Sequence, residues 1–158
     1  QVQMISTIPP TNEQSEEQGL PTQNTRGRTQ MHNVHSRRER KLITLNRLNQ
    51  LVGPTDEVVT ELSSFLGTLA RTATLCPFDI FDWRNMDTKK DLWDYTKEKY
   101  IIPEVVKGWT LVTIREAWKR HRTDLKINYY DPYNNDEIQM AKKPGHIPKC
   151  QFRELLKY

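Results

Sequence analysis

The residues of this chain best suited to chemistry are cations. Arg115, Lys119, Arg122 and Lys126 recur at i, i+4, i+7 and i+11, a helical spacing that gathers them into one stripe. A stripe of one sign suits phosphate oxygens, because each contact releases counterions from the polyanion. Solvated helix faces more often alternate sign so that neighbours pair, although an unpaired basic face in water is the other reading of the same four residues. A second group stands upstream: Arg26, Arg28, Arg37, Arg38, Arg40 and Lys41. Phosphate neutralisation without sequence reading is one role for them, and a solubilising arm is the other.

Catalytic chemistry is not expected. The acids outside the first segment, among them Asp56, Glu57, Asp79, Asp82, Asp87, Asp91, Asp94 and Glu104, fall where a helix cap or a surface residue belongs. None stands on an alternating strand that would converge carboxylates on two metal ions. Asp131 to Glu137 is acid-rich but lacks the spacing and final Glu of an EF-hand loop, so it reads as a solvated turn. Cys76 and Cys150 stand alone, without a CxxC or CxxH spacing, and His32, His35, His121 and His146 show no metal-ligand spacing. No phosphate-cradling GxxxxGK[ST] or GxGxxG loop occurs. The expectation is no catalytic residue, no metal and no cofactor.

The elements that must position the cations follow from periodicity. Residues 1–38 are rich in Gln, Thr, Asn, Pro and Ser and read as a disordered polar and basic arm. Leu42, Ile43 and Leu45, then Leu51 and Val52 beyond a polar stretch, read as a small hairpin that must lean on something else. Gly53-Pro54 ends it, and Thr55 or Asp56 can cap a helix over 56–73 whose apolar residues fall at 58, 59, 62, 65, 66, 69, 70 and 73. Cys76-Pro77 breaks that pattern. A second helix is expected over 88–100 with Asp87 as its cap, and a third over 109–129 with Leu111, Ile114, Trp118, Leu125 and Tyr129 as its core face. The basic stripe flanks that face. Residues 131–137 and 142–148 read as loop, and 151–158 as the first turns of a helix. The fold class is therefore mostly α, with three main helices and a small N-terminal β-hairpin, preceded by the arm; the helical domain spans 39–158.

Charge supports this division. The 158 residues carry a net charge of +4, yet segments 1–25, 26–47, 48–88 and 89–158 carry −3, +6, −4 and +5 in turn. Basic blocks of this kind suit a polyanion or a solvated tail. No stretch approaches the roughly 20 apolar residues of a membrane span. The first residue is Gln and no apolar run follows a charged one, so the chain reads as an internal fragment without a secretory signal. Two isolated cysteines make a reducing, intracellular compartment the default. Trp83, Trp93, Trp109 and Trp118 are unevenly spaced and are expected in the core.

Several segments in order also carry a family resemblance: Thr25-Arg-Gly-Arg-Thr29, Gln50-Leu-Val-Gly-Pro54, Leu62-Ser-Ser-Phe-Leu-Gly-Thr-Leu-Ala-Arg71, Asp82-Trp-Arg84, Leu92-Trp93 and Trp118-Lys-Arg-His-Arg-Thr-Asp-Leu-Lys126. Together they resemble the plant transposase family Ptta/En/Spm over residues 25–158. The resemblance implies a role in transposition, by binding element DNA in a plant nucleus, without implying a catalytic module. DNA is thus the expected partner, through its phosphates. A protein-interaction or assembly module, including self-association, is the alternative, and no membrane or small-molecule substrate is expected. A decayed element translation without a selected function is a third reading.

Overall fold

A computed structural model describes residues 29–157, a mostly α-helical fold. The segments expected to be helical do form helices: α2 (Asp56–Ala70), α3 (Lys89–Lys99) and α4 (Lys107–Leu125), with the short α1 (His32–His35), α5 (Asp136–Ala141) and α6 (Lys149–Leu155) around them. Thr55 caps α2, its hydroxyl accepting from the Val58 N–H at 3.3 Å, and Asp56 and Glu57 place negative charge in the first turn. The three-four spacing of α2 then sends Leu62, Phe65, Leu66, Leu69 and Ala70 inward, all fully buried. They pack mainly against α4, whose inner side is Thr110, Ile114, Trp118, His121 and Leu125. The core face of α4 is therefore turned slightly from the expected one: Leu111 and Tyr129 are only half-buried. A buried His121 edge-on to Phe78, with ring centroids 5.0 Å apart, fills part of it instead.

The hairpin forms, and it leans on α2. β2 (Thr44–Leu45) pairs antiparallel with β3 (Leu51–Gly53), and Asn46 closes the turn by accepting from the Leu48 and Gln50 N–H groups at 2.9 and 3.0 Å. Gly53 sits in a tight place, since an added Cβ would lie 3.0 Å from the Thr44 hydroxyl and 3.1 Å from the Thr55 backbone nitrogen. A second, unexpected pairing is parallel: β1 (Lys41–Leu42) lies beside β4 (Tyr100–Ile101), with Lys41 opposite Tyr100.

Three boundaries depart from the sequence reading. Residues 29–38, assigned there to the arm, are part of the packed structure; residues 1–28 lie outside the described residues. Val34 is fully buried, and His35 places its ring between two helices, Nε2 2.8 Å from the Thr68 hydroxyl of α2 and Nδ1 2.8 Å from the Tyr95 hydroxyl of α3. Two apolar residues, Met31 and Val34, in a polar run carry too little periodicity to reveal this. Between the two loop runs, and taking in the end of the first, lies α5, begun by Asn135, whose side chain accepts from the Glu137 N–H. Finally α4 stops at Leu125 and continues as a π-turn over Lys126–Tyr130. α6 covers the bottom of the core: Phe152 is buried, and Gln151 bonds the Phe78 N–H and the Ala73 carbonyl at 3.0 and 3.3 Å. Leu155 and Leu156 pack against the same core, half-buried.

Because Thr68 donates its own hydroxyl proton to the Phe65 carbonyl, His35 must donate to it from Nε2 and accept at Nδ1. Burial, then the nearby Lys99 and His32, lower the His35 pKa from 6.5. Its neutral form is the one the fold favours. Stability from this ring is therefore complete above the unfolded value near 6.5 and is lost as pH falls from there toward the folded value. In urea denaturation, the wild type should lose more stability than His35→Gln between about pH 7.5 and about pH 5.5. Equal losses would refute this account of the ring.

Candidate nucleic-acid interface

The cations singled out by type and spacing divide into two sets with different surroundings. In the upstream set, Arg26 and Arg28 lie outside the described residues. Arg37 is committed to the fold: its Nη1 meets Glu61 Oε1 at 2.7 Å, its Nη2 donates to the Lys99 carbonyl at 2.9 Å, and its guanidinium sits 5.1 Å from the Tyr100 ring centre. Lys41 joins it on the other Glu61 oxygen at 2.8 Å, and the Tyr100 hydroxyl donates to Oε1 at 2.8 Å. Burial alone would raise the Glu61 pKa, but the hydrogen bonds from Lys41, Arg37 and Tyr100 outweigh it and hold the carboxyl at about 2. A charge so engaged is a poor phosphate ligand, since release would leave Glu61 uncompensated. Arg38 and Arg40 are exposed, Arg40 reaching the Lys97 carbonyl at 3.4 Å.

The downstream set forms a groove. One wall is α4; the other is the turn that carries Phe81 and the 3₁₀ segment Trp83–Asn85, where the Asp82 side chain accepts from the Arg84 N–H. Between them is a cleft of about 490 Å³ into which Arg84, Arg115, Lys119 and Arg122 all open, with Asp82 as its one lining carboxylate. Arg122 is the fixed member. Its guanidinium lies 4.9 Å from the Phe81 ring centre and 4.7 Å from that of Trp118, and Nη1 donates to the Phe81 carbonyl at 3.3 Å. Burial lowers its pKa from the usual guanidinium value, and Nε is buried without a hydrogen-bond partner among the described residues. Arg115 and Lys119 are looser: the Glu116 carboxylate bridges them from outside the cleft at 3.1 and 3.6 Å. Arg84 is 87% exposed and pairs with Asp82 at 2.6 Å, a contact that holds the Asp82 carboxyl at about 2.

Lys126 does not join them. Its N–H still bonds the Arg122 carbonyl in α-helical fashion, so it keeps to the stripe but lies one turn beyond Arg122, exposed and outside the cleft. Arg84 is the member that helical spacing misses. Its signal is the Asp82-Trp-Arg sequence, in which an Asp two residues before Arg can cap the turn and orient the guanidinium. On the far side of α4 a second cleft, of about 580 Å³, mixes Arg71, Lys119 and Arg120 with Glu116 and Asp124 and has no single sign.

The Cys76 thiol is not set up for nucleophilic attack. Cys76 is fully buried, and burial pushes its thiol up to about 12, far from the thiolate that attack requires. Among the described residues no group of three or more His, Cys, Asp or Glu could hold a metal ion, and no helix is long and apolar enough to cross a membrane. No family model, curated protein or solved structure matches the chain.

Proposed function

We propose that this chain binds DNA through its phosphates, as a non-catalytic module related to plant Ptta/En/Spm transposases and working in the nucleus. The observation that carries the reading is the cleft beside α4, where four cations face one carboxylate and one of the cations is held by aromatic rings on both sides. Preorganisation matters here: an Arg already fixed loses little side-chain entropy on meeting an anion. The looser Arg115 and Lys119 can exchange Glu116 for a phosphate at small cost, because exposed ion pairs contribute little in water. The family relation rests on the ordered sequence segments, and nuclear location follows from the partner.

The test separates function from folding. Arg122 is half-buried and stacked, so it is left in place, and the other three cations of the cleft, Arg84, Arg115 and Lys119, are changed together to Gln. Affinity for a generic duplex should fall, and the log-log salt slope should become shallower by about 0.9 for each phosphate no longer neutralised, with the melting temperature unchanged. An unaltered slope would move the binding elsewhere or remove it.

One observation favours a second reading, a protein-interaction surface. Val105, Trp109 and Val112, at i, i+4 and i+7, are 59%, 39% and 46% exposed on the outer side of α4 and the turn before it. An apolar contact there would be nearly indifferent to salt, whereas phosphate binding is not.

A further inference from the structure

We propose that the loop joining the π-turn to α5 is a binding site for a hard divalent cation of the calcium type, held by oxygens of Asp131, Asn134, Asp136 and Gln139. These four residues, with Tyr130 and Tyr133, line a cavity of about 360 Å³ that no basic side chain enters. Gln139 is the anchor. It is 3% exposed, and its Nε2 donates to the Tyr130 and Tyr133 carbonyls at 3.1 and 2.8 Å. Those two bonds settle the amide orientation, since a flipped carboxamide would set oxygen against oxygen. Oε1 is then the remaining atom, buried and without a hydrogen-bond partner among the described residues. A buried acceptor with no donor is an exception in folded proteins, and a cation is one group that satisfies it.

The donor set selects the metal class. Two carboxylates and two carboxamides supply only oxygen, with no His or Cys, which suits a hard cation and not zinc or copper. Irregular loop geometry and neutral amide ligands fit the flexible shell of calcium better than the octahedron of magnesium, with water completing the coordination. Only two negative charges contribute, so binding belongs to the weak class, on the order of 0.1–1 mM. Half of the donors are amides, so the site is not a cluster of three acids, His or Cys, of which the described residues hold none. Read as sequence, this segment is a solvated turn; α5 changes that by bringing Gln139 back under the loop.

Terbium is the probe, because it occupies calcium sites and emits when an adjacent tyrosine is excited, and Tyr130 and Tyr133 line this cavity. The whole chain should give sensitised emission that calcium displaces and that potassium chloride of equal ionic strength does not. Asp131→Asn combined with Asp136→Asn changes two exposed side chains. It should leave the melting temperature alone and weaken calcium competition at least ~10-fold, as expected when both charges are removed. Absence of sensitised emission, or emission that the double variant retains, overturns the proposal.

Discussion

Replacing Trp118 by Ala should cost about 3–5 kcal/mol of folding stability, the range for deleting a large buried aromatic side chain. Trp118 is 1% exposed, and it sits where α4 meets the turn that forms the other wall of the cleft. Its indole Nε1 donates to the Pro77 carbonyl at 3.2 Å, its ring centre is 5.7 Å from that of Trp83, and its outer face carries the Arg122 guanidinium. Truncation leaves a cavity, an unpaired carbonyl and a half-buried cation with one aromatic support instead of two. Trp118→Phe keeps most of the volume and should cost far less. Urea denaturation of the two variants measures the difference, and near-native stability of the Ala variant would place the indole outside the core.

The second large effect belongs to Glu61. Changing it to Gln keeps the shape but leaves Arg37, whose side chain is 16% exposed, without a countercharge. The expected cost near neutral pH is about 2–4 kcal/mol, since breaking an enclosed pair strands the partner. The pH dependence identifies the cause. The folded carboxyl titrates at about 2, below the ordinary 4.5. Its contribution is therefore complete above about pH 4.5 and is lost as pH falls through the folded value. The gap between wild type and Glu61→Gln should narrow as the buffer is taken from about pH 7 toward about pH 3. A gap that stays constant across that range would mean that shape, not charge, is what Glu61 provides.

Much of this architecture is legible in the amino-acid order, and the illegible parts share a cause. α2 announces itself through seven apolar residues at helical spacing and a Thr cap, because burial of one face and satisfaction of one end are both local in sequence. The strap over 29–42 does not, because each of its contacts is distant: His35 with Tyr95, Arg37 with Glu61 and Lys99, Lys41 with Tyr100. Polar residues that bury themselves through specific partners look the same, in sequence, as polar residues in water. For that reason Arg37 and Lys41, grouped by type with the phosphate-binding cations, are in fact bonded to Glu61, while Arg38 and Arg40 are exposed. The cleft is half legible. Arg115, Lys119 and Arg122 follow from 3.6-residue counting, Lys126 drops out because the cleft ends one turn before it, and Arg84 comes from an element that no periodicity marks.

The strap has a kinetic meaning as well. The residues it joins lie from 20 positions apart, Lys41 and Glu61, to 62, Arg37 and the Lys99 carbonyl, so loop-closure entropy must be overcome before those bonds form. Of its apolar residues only Val34 is fully buried, whereas α2 buries five completely. The strap is thus a late-docking, early-opening unit in the sense of a small foldon. Opening of this unit alone should uncover Arg37 and Lys41 together with Glu61 while the α2 and α4 core stays closed, and faster hydrogen exchange at the strap amides than at the core amides would show it.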